Sequence, residues 1–274
     1  MRPQRGTPAV NASATPTQRN TRQRRQQIIE SLLQRGSVEV AELVERHRVS
    51  AVTIRADLNH LESRGLVTRT HGGANLLRSP PPEHALHEKD AIHLARKDAI
   101  GARAATLIEP GANILIDSGS TTRMLARHLH AQRDITVMTN GLNIAWELAT
   151  AAGITLRLTG GLLHQPSLSL HGSQAEASLQ SFSFDTLFLG VDGLDLQFGA
   201  TTHHEAEASL NQRMVERARR IVVLSDSSKF GKVSLHRIAS LDQIHAIITD
   251  SGIPAETREG LQRLGIELIV VDAS

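Results

Sequence analysis

The chain has 274 residues, 40% of them apolar, only 2% aromatic, with no cysteine and no tyrosine. That length suits a small and a medium domain whose cores rest on Leu, Ile, Val and Ala, and the absence of thiols excludes disulfide frameworks, thiolate metal sites and cysteine nucleophiles. The net charge of +2 hides an asymmetry: residues 1–78 hold 13 Arg against 6 Asp/Glu, a balance of +7 that leaves −5 for the rest. A basic N-terminal piece on a mildly acidic body is the footprint of a nucleic-acid-binding module joined to something else. All five Phe and Trp146 lie beyond the basic piece. It therefore lacks the aromatic platform that stacks single-stranded bases, which favours duplex DNA. No stretch approaches the ~20 apolar residues of a membrane span and no apolar signal region follows Met1, so the expected location is the cytoplasm.

Residues 1–21 read as a disordered tail, free of acids and interrupted by Pro3, Pro8 and Pro16. From Arg22 a helical pattern begins. Ile28, Ile29, Leu32 and Leu33 share one face, Arg22, Arg24 and Arg25 lead it, and Gly36 stops it. Ser37-Val-Glu-Val introduces a second short helix over residues 40–46. The third helix runs from Ser50 to Ser63: Ile54, Leu58 and Leu61 recur at i, i+4 and i+7, Ser50 stands at the N-cap, and Gly65 at the C-cap. Thr53, Arg55 and Asn59 fall off that apolar stripe, and short polar groups beside an arginine suit a helix lying in a DNA groove. His60 reads as a surface position. Strands over 66–70 and 74–77 flank His71-Gly-Gly, placing Arg69 and His71 on a wing. Three helices and a hairpin predict a winged helix-turn-helix over residues 22–78. Residues 79–90, opening on Ser79-Pro-Pro-Pro82, read as a stiffened linker.

Residues 91–274 are expected to form the second domain. Residues 86–107 read as helical with a break near His93. Strands are predicted over 113–116, 136–138, 155–158, 186–189, 221–224, 245–248 and 267–270. Helices are predicted between most of them, over 122–130, 143–152, 174–180, 205–219 and 254–264. Short apolar strands alternating with helices predict an α/β fold with a parallel sheet covered on both faces.

Ligands of such sheets gather at the carboxyl ends of the strands. Those ends carry Asp117-Ser-Gly-Ser-Thr-Thr122, Thr139-Asn140-Gly141, Thr159-Gly160-Gly161, Gly190-Val-Asp192-Gly193, Ser225-Asp226-Ser-Ser-Lys229 and Asp250. In the first, a glycine lets backbone approach a ligand, three hydroxyls can donate, and a helix N-terminus follows, which suits a phosphate; an ordinary capped turn has the same composition. Neither G-x-x-x-x-G-K-[ST] nor G-x-G-x-x-G occurs, so this is not a nucleotide loop. Lys229, one of four lysines against 26 arginines, could hold a phosphate. Asp192 and Glu205 could accept from sugar hydroxyls or cap their local turns. His203-His204-Glu205 does not extend to H-E-x-x-H, since position 208 is Ala, and His164 and His171 read as loop residues; no metal or other cofactor is expected. No serine nucleophile elbow supports hydrolase chemistry, and no catalytic residue is assigned.

Arg24-Arg-Gln-Gln-Ile-Ile, Val49-Ser-Ala-Val-Thr-Ile-Arg-Ala-Asp-Leu and Thr70-His-Gly-Gly-Ala resemble the DNA-binding domain of the DeoR family of bacterial transcription regulators. The succession Asp117-Ser-Gly-Ser-Thr-Thr, Thr139-Asn-Gly, Thr159-Gly-Gly, Phe188-Leu-Gly-Val-Asp and Asp226-Ser-Ser-Lys-Phe is similar to that family's sensor domain. The resemblance spans residues 22–272. It implies a sugar-phosphate-isomerase-like sensor domain that binds a phosphorylated sugar and changes the DNA-bound state of a homo-oligomeric repressor. It also implies roles: Asp117, Ser118, Gly119, Ser120, Thr121 and Thr122 for the phosphate, and Asn140, Gly160, Asp192, Glu205 and Lys229 around the sugar. On the DNA side the residues themselves point to Ser50, Thr53, Arg55 and Asn59 on the third helix, Arg69 and His71 on the wing, and Arg22, Arg24 and Arg25 near phosphates. One departure stands out, Ala56 where many relatives carry arginine or asparagine. The competing reading is a sugar-phosphate isomerase or deaminase with an accessory helix-turn-helix, whose acid and base would come from Asp192, Glu205 and Lys229.

Overall fold

The computed structural model describes residues 16–63, 66–76 and 86–272. The chain splits into two compact units that part between Arg78 and Ser79.

The first unit contains α1 (Pro16–Arg35), β1 (Ser37–Glu39), α2 (Val40–His47), α3 (Ala51–Ser63), β2 (Val67–Arg69) and β3 (Gly73–Leu76). Helix α1 starts six residues before Arg22, so Pro16 opens a helix instead of breaking one. A proline at the first helical position has no intrahelical hydrogen bond to lose. Of the expected tail, residues 1–15 lie outside the described residues, as do Gly65 and the Pro80–Pro82 stretch. The wing is three-stranded, in the order β1-β3-β2, because Ser37–Glu39 pairs antiparallel with β3 instead of only leading into α2. That pairing needs Gly73: a Cβ there would lie 1.9 Å from the Val38 carbonyl oxygen. Ile28, Leu32, Leu43, Ile54, Leu58 and Leu61 are fully buried and form the core.

The second unit begins inside the span read as linker. Residues Leu86–Ala91 form α4, and α5 (Leu94–Ala105) follows after His93, whose left-handed φ of 57° breaks the helix at the expected place. Then come β4 (Asn113–Ile116), α6 (Ser120–Arg127), β5 (Ile135–Thr139), α7 (Leu142–Leu148), β6 (Ile154–Leu158), β7 (Leu162–His164), β8 (Ser169–His171), α8 (Ser173–Leu179), β9 (Phe184–Gly190), β10 (Gly193–Asp195), β11 (Gly199–Thr202), α9 (Glu205–Arg217), β12 (Ala218–Leu224), β13 (His236–Ala239), β14 (Ala246–Asp250), α10 (Ala255–Arg263) and β15 (Glu267–Val271). All seven predicted strands form one parallel sheet in the order β15-β14-β12-β9-β4-β5-β6. Successive side chains alternate between faces. Leu115, Leu187, Val223 and Ile247 therefore enter one core, and Ile114, Ile116, Val222 and Ile248 the other. Two small antiparallel sheets, β7-β8 and β10-β11-β13, add to this frame. His164 and His171 accordingly sit on strands, not in a loop. The order of the parallel strands reverses direction between β4 and β9. At such a switch point the connections leave on opposite faces and a crevice opens at the carboxyl ends.

Candidate functional site

A cleft of about 650 Å³, counting its open mouth, lies at that switch point. One wall is the turn from β4 into α6. Asp117 and Ser118 enter it, and Gly119, with φ 151° and a virtual Cβ 3.1 Å from Thr122 Oγ1, lets the backbone swing round. The Ser118 N–H donates to Asn140 Oδ1 at 2.9 Å, and Thr122 Oγ1 and Asn143 Nδ2 both donate to the Gly119 carbonyl. Ser118, Gly119, Ser120 and Thr121 line the cleft at the first turn of α6, whose leading N–H groups have no intrahelical acceptor. The opposite wall is Gly190 at the end of β9, Val191 and Asp192 after it, with Thr202 from β11, Glu207 and Asn211 from α9, and Lys229 beyond β12.

Electrostatics set the character of each group. Lys89, from α4, donates to Asp192 Oδ1 at 2.9 Å, and Thr202 Oγ1 donates to Asp192 Oδ2 at 3.0 Å. Burial works against the Asp192 charge, but the ammonium of Lys89, then His203 and Lys229, outweigh it and hold its pKa at about 2. Burial pulls Lys229 down from the ordinary lysine range, and does the same to Lys97, whose ammonium donates to the Lys89 carbonyl. Two of the four lysines thus line the cleft as compact ammonium groups, and a third, Lys97, stands behind Lys89. Asp117 is buried, accepts from the Gly190 N–H, and is pushed well above the usual carboxylate range by that burial and by the Glu207 charge. Glu207 accepts from Ser167 and Ser169 hydroxyls, while the buried Oδ1 of Asn211 has no hydrogen-bond partner among the described residues. The rings of His164 and His204 stack at 4.2 Å, and among the described residues no group of His, Asp or Glu could hold a metal ion.

Several expectations are corrected. Asn140 is fully buried behind the loop and braces Ser118 instead of lining the cleft. Thr122 is buried in α6 and serves the turn, and Gly160 lies beyond edge strand β6, away from the cleft. Glu205 is exposed, and the carboxylate that α9 brings into the cleft is Glu207, two residues on and turned inward by the helix. Asp117 lines the cleft as an acid buried by its own fold, which disfavours it as a phosphate ligand. Lys89, Glu207 and Asn211 also line the cleft, beyond the residues expected from the sequence. Their one local signal is Glu207 and Asn211 at i and i+4, a polar pair on the buried face of α9.

In the first unit, Ser50 Oγ accepts from the Thr53 N–H at 3.2 Å and so caps α3. Arg55 and Asn59 are exposed on α3, and His71 is exposed in the wing turn. Arg24 and Arg25 are not turned outward: their Nε atoms donate to Asp57 Oδ2 and Oδ1 at 2.5 and 2.7 Å. Asp57 is 1% exposed on the inner side of α3, so these arginines tie α1 to α3. Arg69 folds back from the wing to Asn59 Oδ1, at 2.9 Å, and to the Arg55 carbonyl. Arg22 lies in α1, and its side chain is outside the described residues.

A winged helix with an exposed third-helix face, joined to an α/β domain with a polar switch-point cleft, defines a DNA-binding regulator. Comparison with known proteins identifies the family. The DeoR C terminal sensor domain matches residues 92–251, and the DeoR-like helix-turn-helix domain matches residues 24–79. The chain is 46% identical, over 96% of its own length and 98% of the other, to an Escherichia coli O157:H7 protein named "Putative aga operon transcriptional repressor". It is 35% identical to the HTH-type transcriptional regulator GlpR of Haloferax volcanii, over 90% of this chain and 96% of that one. A ribose 5-phosphate isomerase from Methanocaldococcus jannaschii overlaps 49% of this chain and 53% of its own at 17% identity, with a TM-score of 0.37. The protein belongs to the DeoR family of transcription regulators and binds DNA through its winged helix-turn-helix. No helix among the described residues is long and apolar enough to cross a membrane.

Proposed function

We propose that the protein represses a sugar or amino-sugar catabolic operon and that a phosphorylated sugar, bound in the switch-point cleft, relieves the repression. The carrying observation is the pairing of the α6 N-terminus, at Ser118–Thr121, with the Lys89–Asp192–Lys229 group across the same cleft. Helix N–H groups and ammonium ions suit a phosphate, while Asp192, Glu207 and Asn211 offer acceptors to sugar hydroxyls. The name of the E. coli relative supports a sugar operon as target. On this reading the cleft senses and does not turn over its ligand, and the protein works in the cytoplasm as a dimer or tetramer. Helix-turn-helix dimers match two half-sites about 34 Å or a multiple apart. Thr53 and Arg55 enter the major groove, with His71 on the wing.

The test is a thermal-shift screen of hexose, hexosamine and pentose phosphates on the full chain, with inorganic phosphate as control, followed by DNA binding with each hit. A ligand at about 100 times its Kd stabilises by roughly 2.7 kcal/mol, and the same ligand should weaken DNA binding, because it favours one of two states. Lys89→Ala should abolish both responses. A hit that leaves DNA affinity unchanged defeats the sensor reading, and turnover of the sugar phosphate would replace it with the isomerase reading. Arg55→Ala should cost about 1–3 kcal/mol of specific binding; unchanged affinity in a gel-shift titration removes α3 from the groove.

A further inference from the structure

Val52 is 73% exposed, and among the described residues of the first unit no other large apolar side chain is exposed. Core packing does not explain it, and a β-branched residue on the first turn of a helix is not chosen for helix propensity. Its neighbours on the helix are telling. Ala56, at i+4, is also exposed and apolar, and Arg55, at i+3, lies beside both. Ser50 and Thr53 are engaged with each other at the cap, Oγ to Oγ1 at 2.9 Å. Further along, Arg69 covers Asn59 and the Arg55 carbonyl. What remains open on the N-terminal half of α3 is an apolar ridge, Val52–Ala56, with one guanidinium next to it. The N-terminal residues of a recognition helix are those that reach base edges. In an unmodified major groove the apolar feature on a base edge is the C5-methyl of thymine, while an arginine beside it favours guanine O6 and N7.

Resting on the placement of α3 in the groove, we propose that Val52 and Ala56 are specificity-determining residues that read a thymine methyl next to the guanine held by Arg55. The short Ala56 side chain leaves room for the methyl group to seat against Val52, where a longer polar residue would fill that space.

The full-length protein is used to select its binding site from a random duplex pool, and each thymine of the selected site is then replaced singly by deoxyuridine, which removes only the methyl group. At one thymine per half-site, adjacent to a guanine, uracil should raise Kd about fourfold for the wild type, the worth of one buried methyl. For Val52→Ala the same replacement should cost nothing, and Val52→Thr, which keeps one methyl, should fall between. Equal uracil costs in wild type and Val52→Ala, or no costly thymine, overturn the inference. Arg55→Ala is the separating control: if it weakens selection of the site while the uracil costs stay uncoupled from Val52, only the methyl reading fails, and if it changes nothing, the placement of α3 itself fails.

Discussion

The two units treat charge in opposite ways. In the winged unit, three arginines are committed to the fold: Arg24 and Arg25 converge on buried Asp57, and Arg69 lies along α3. The groove-facing positions are left sparse, with Arg55 between two apolar residues. In the sensor unit the cations turn inward, so that Lys89 and Lys229 meet Asp192 at a concave site, with Lys97 held behind them on the Lys89 carbonyl. A convex reader must keep its recognition groups unengaged, because its ligand arrives with its own hydrogen-bonding edge. A concave one must neutralise its charges internally while empty, because buried charge without a partner is costly. Mutations at Asp57 and at Asp192 should therefore fail differently.

The largest effect is expected at Asp57. Asp57→Ala strands two partly buried guanidinium groups, a loss of about 3 kcal/mol or more. Urea unfolding followed by far-UV circular dichroism should show the helices of the first unit melting at lower denaturant, while sugar-phosphate binding to the second unit persists. A variant with an unaltered unfolding curve would show that Arg24 and Arg25 do not depend on this acid, and the two units would then not differ in how they hold their cations.

Asp192 should behave as a ligand-site acid with a pH signature. Its folded pKa of about 2 lies below the unfolded value, so the contribution is present at neutral pH and is lost as pH falls from about 4 towards 2, a term of roughly 2 kcal/mol. Asp117 has the opposite sign. Burial raises its folded pKa, so it favours folding at low pH and this contribution fades as pH rises through that value. Thermal melts against pH should show the gap between wild type and Asp192→Asn closing at acid pH. Asp117→Asn, which keeps an acceptor for the Gly190 N–H, should gain relative to wild type as pH rises. Parallel melting curves for the three proteins would contradict both assignments.

What was legible in the sequence follows from range. The apolar stripe of α3 and the seven parallel strands are local periodicities, and Ser118–Thr121 is a local turn, so each could be read from a few consecutive residues. Strand β1 was not legible because it is three residues long, with one buried valine between polar neighbours. Strands β10 and β11 are short, open on a glycine and are buried at every position, polar residues included, and β13 pairs two polar with two buried apolar residues, so none of them alternates. The chemistry of the cleft depends on partners far apart in sequence. Lys89 and Asp192 are 103 positions apart, and Arg24 and Asp57 are 33 apart. Reading Arg24, Arg25 and Arg69 as DNA contacts followed charge alone, which cannot tell a guanidinium held by an acid from one presented to a phosphate. Glu205 was read in place of Glu207 because the helix start was visible and its rotation was not.

The smallest effect sharpens the comparison most, because it repeats the Asp57 geometry in water. Glu42 also takes two arginines, Arg35 at 2.6 Å and Arg46 at 2.8 Å, but all three side chains are more than a third exposed. The hydrogen bond from Arg35 lowers the pKa of Glu42, yet solvent screening and the entropy of holding long side chains leave such pairs worth at most about 0.5 kcal/mol each. Glu42→Gln should shift the urea midpoint barely, and the shift should vanish in high salt, whereas the Asp57 loss should largely persist because that acid is buried and its pairs are screened much less. Removing the Glu42 charge also adds one positive charge to the basic unit, so nonspecific DNA affinity should rise slightly at low salt. If Glu42→Gln proved as destabilising as Asp57→Ala, burial would not be what separates structural arginines from available ones. The orientation of Arg24 and Arg25 towards α3 would then need another cause.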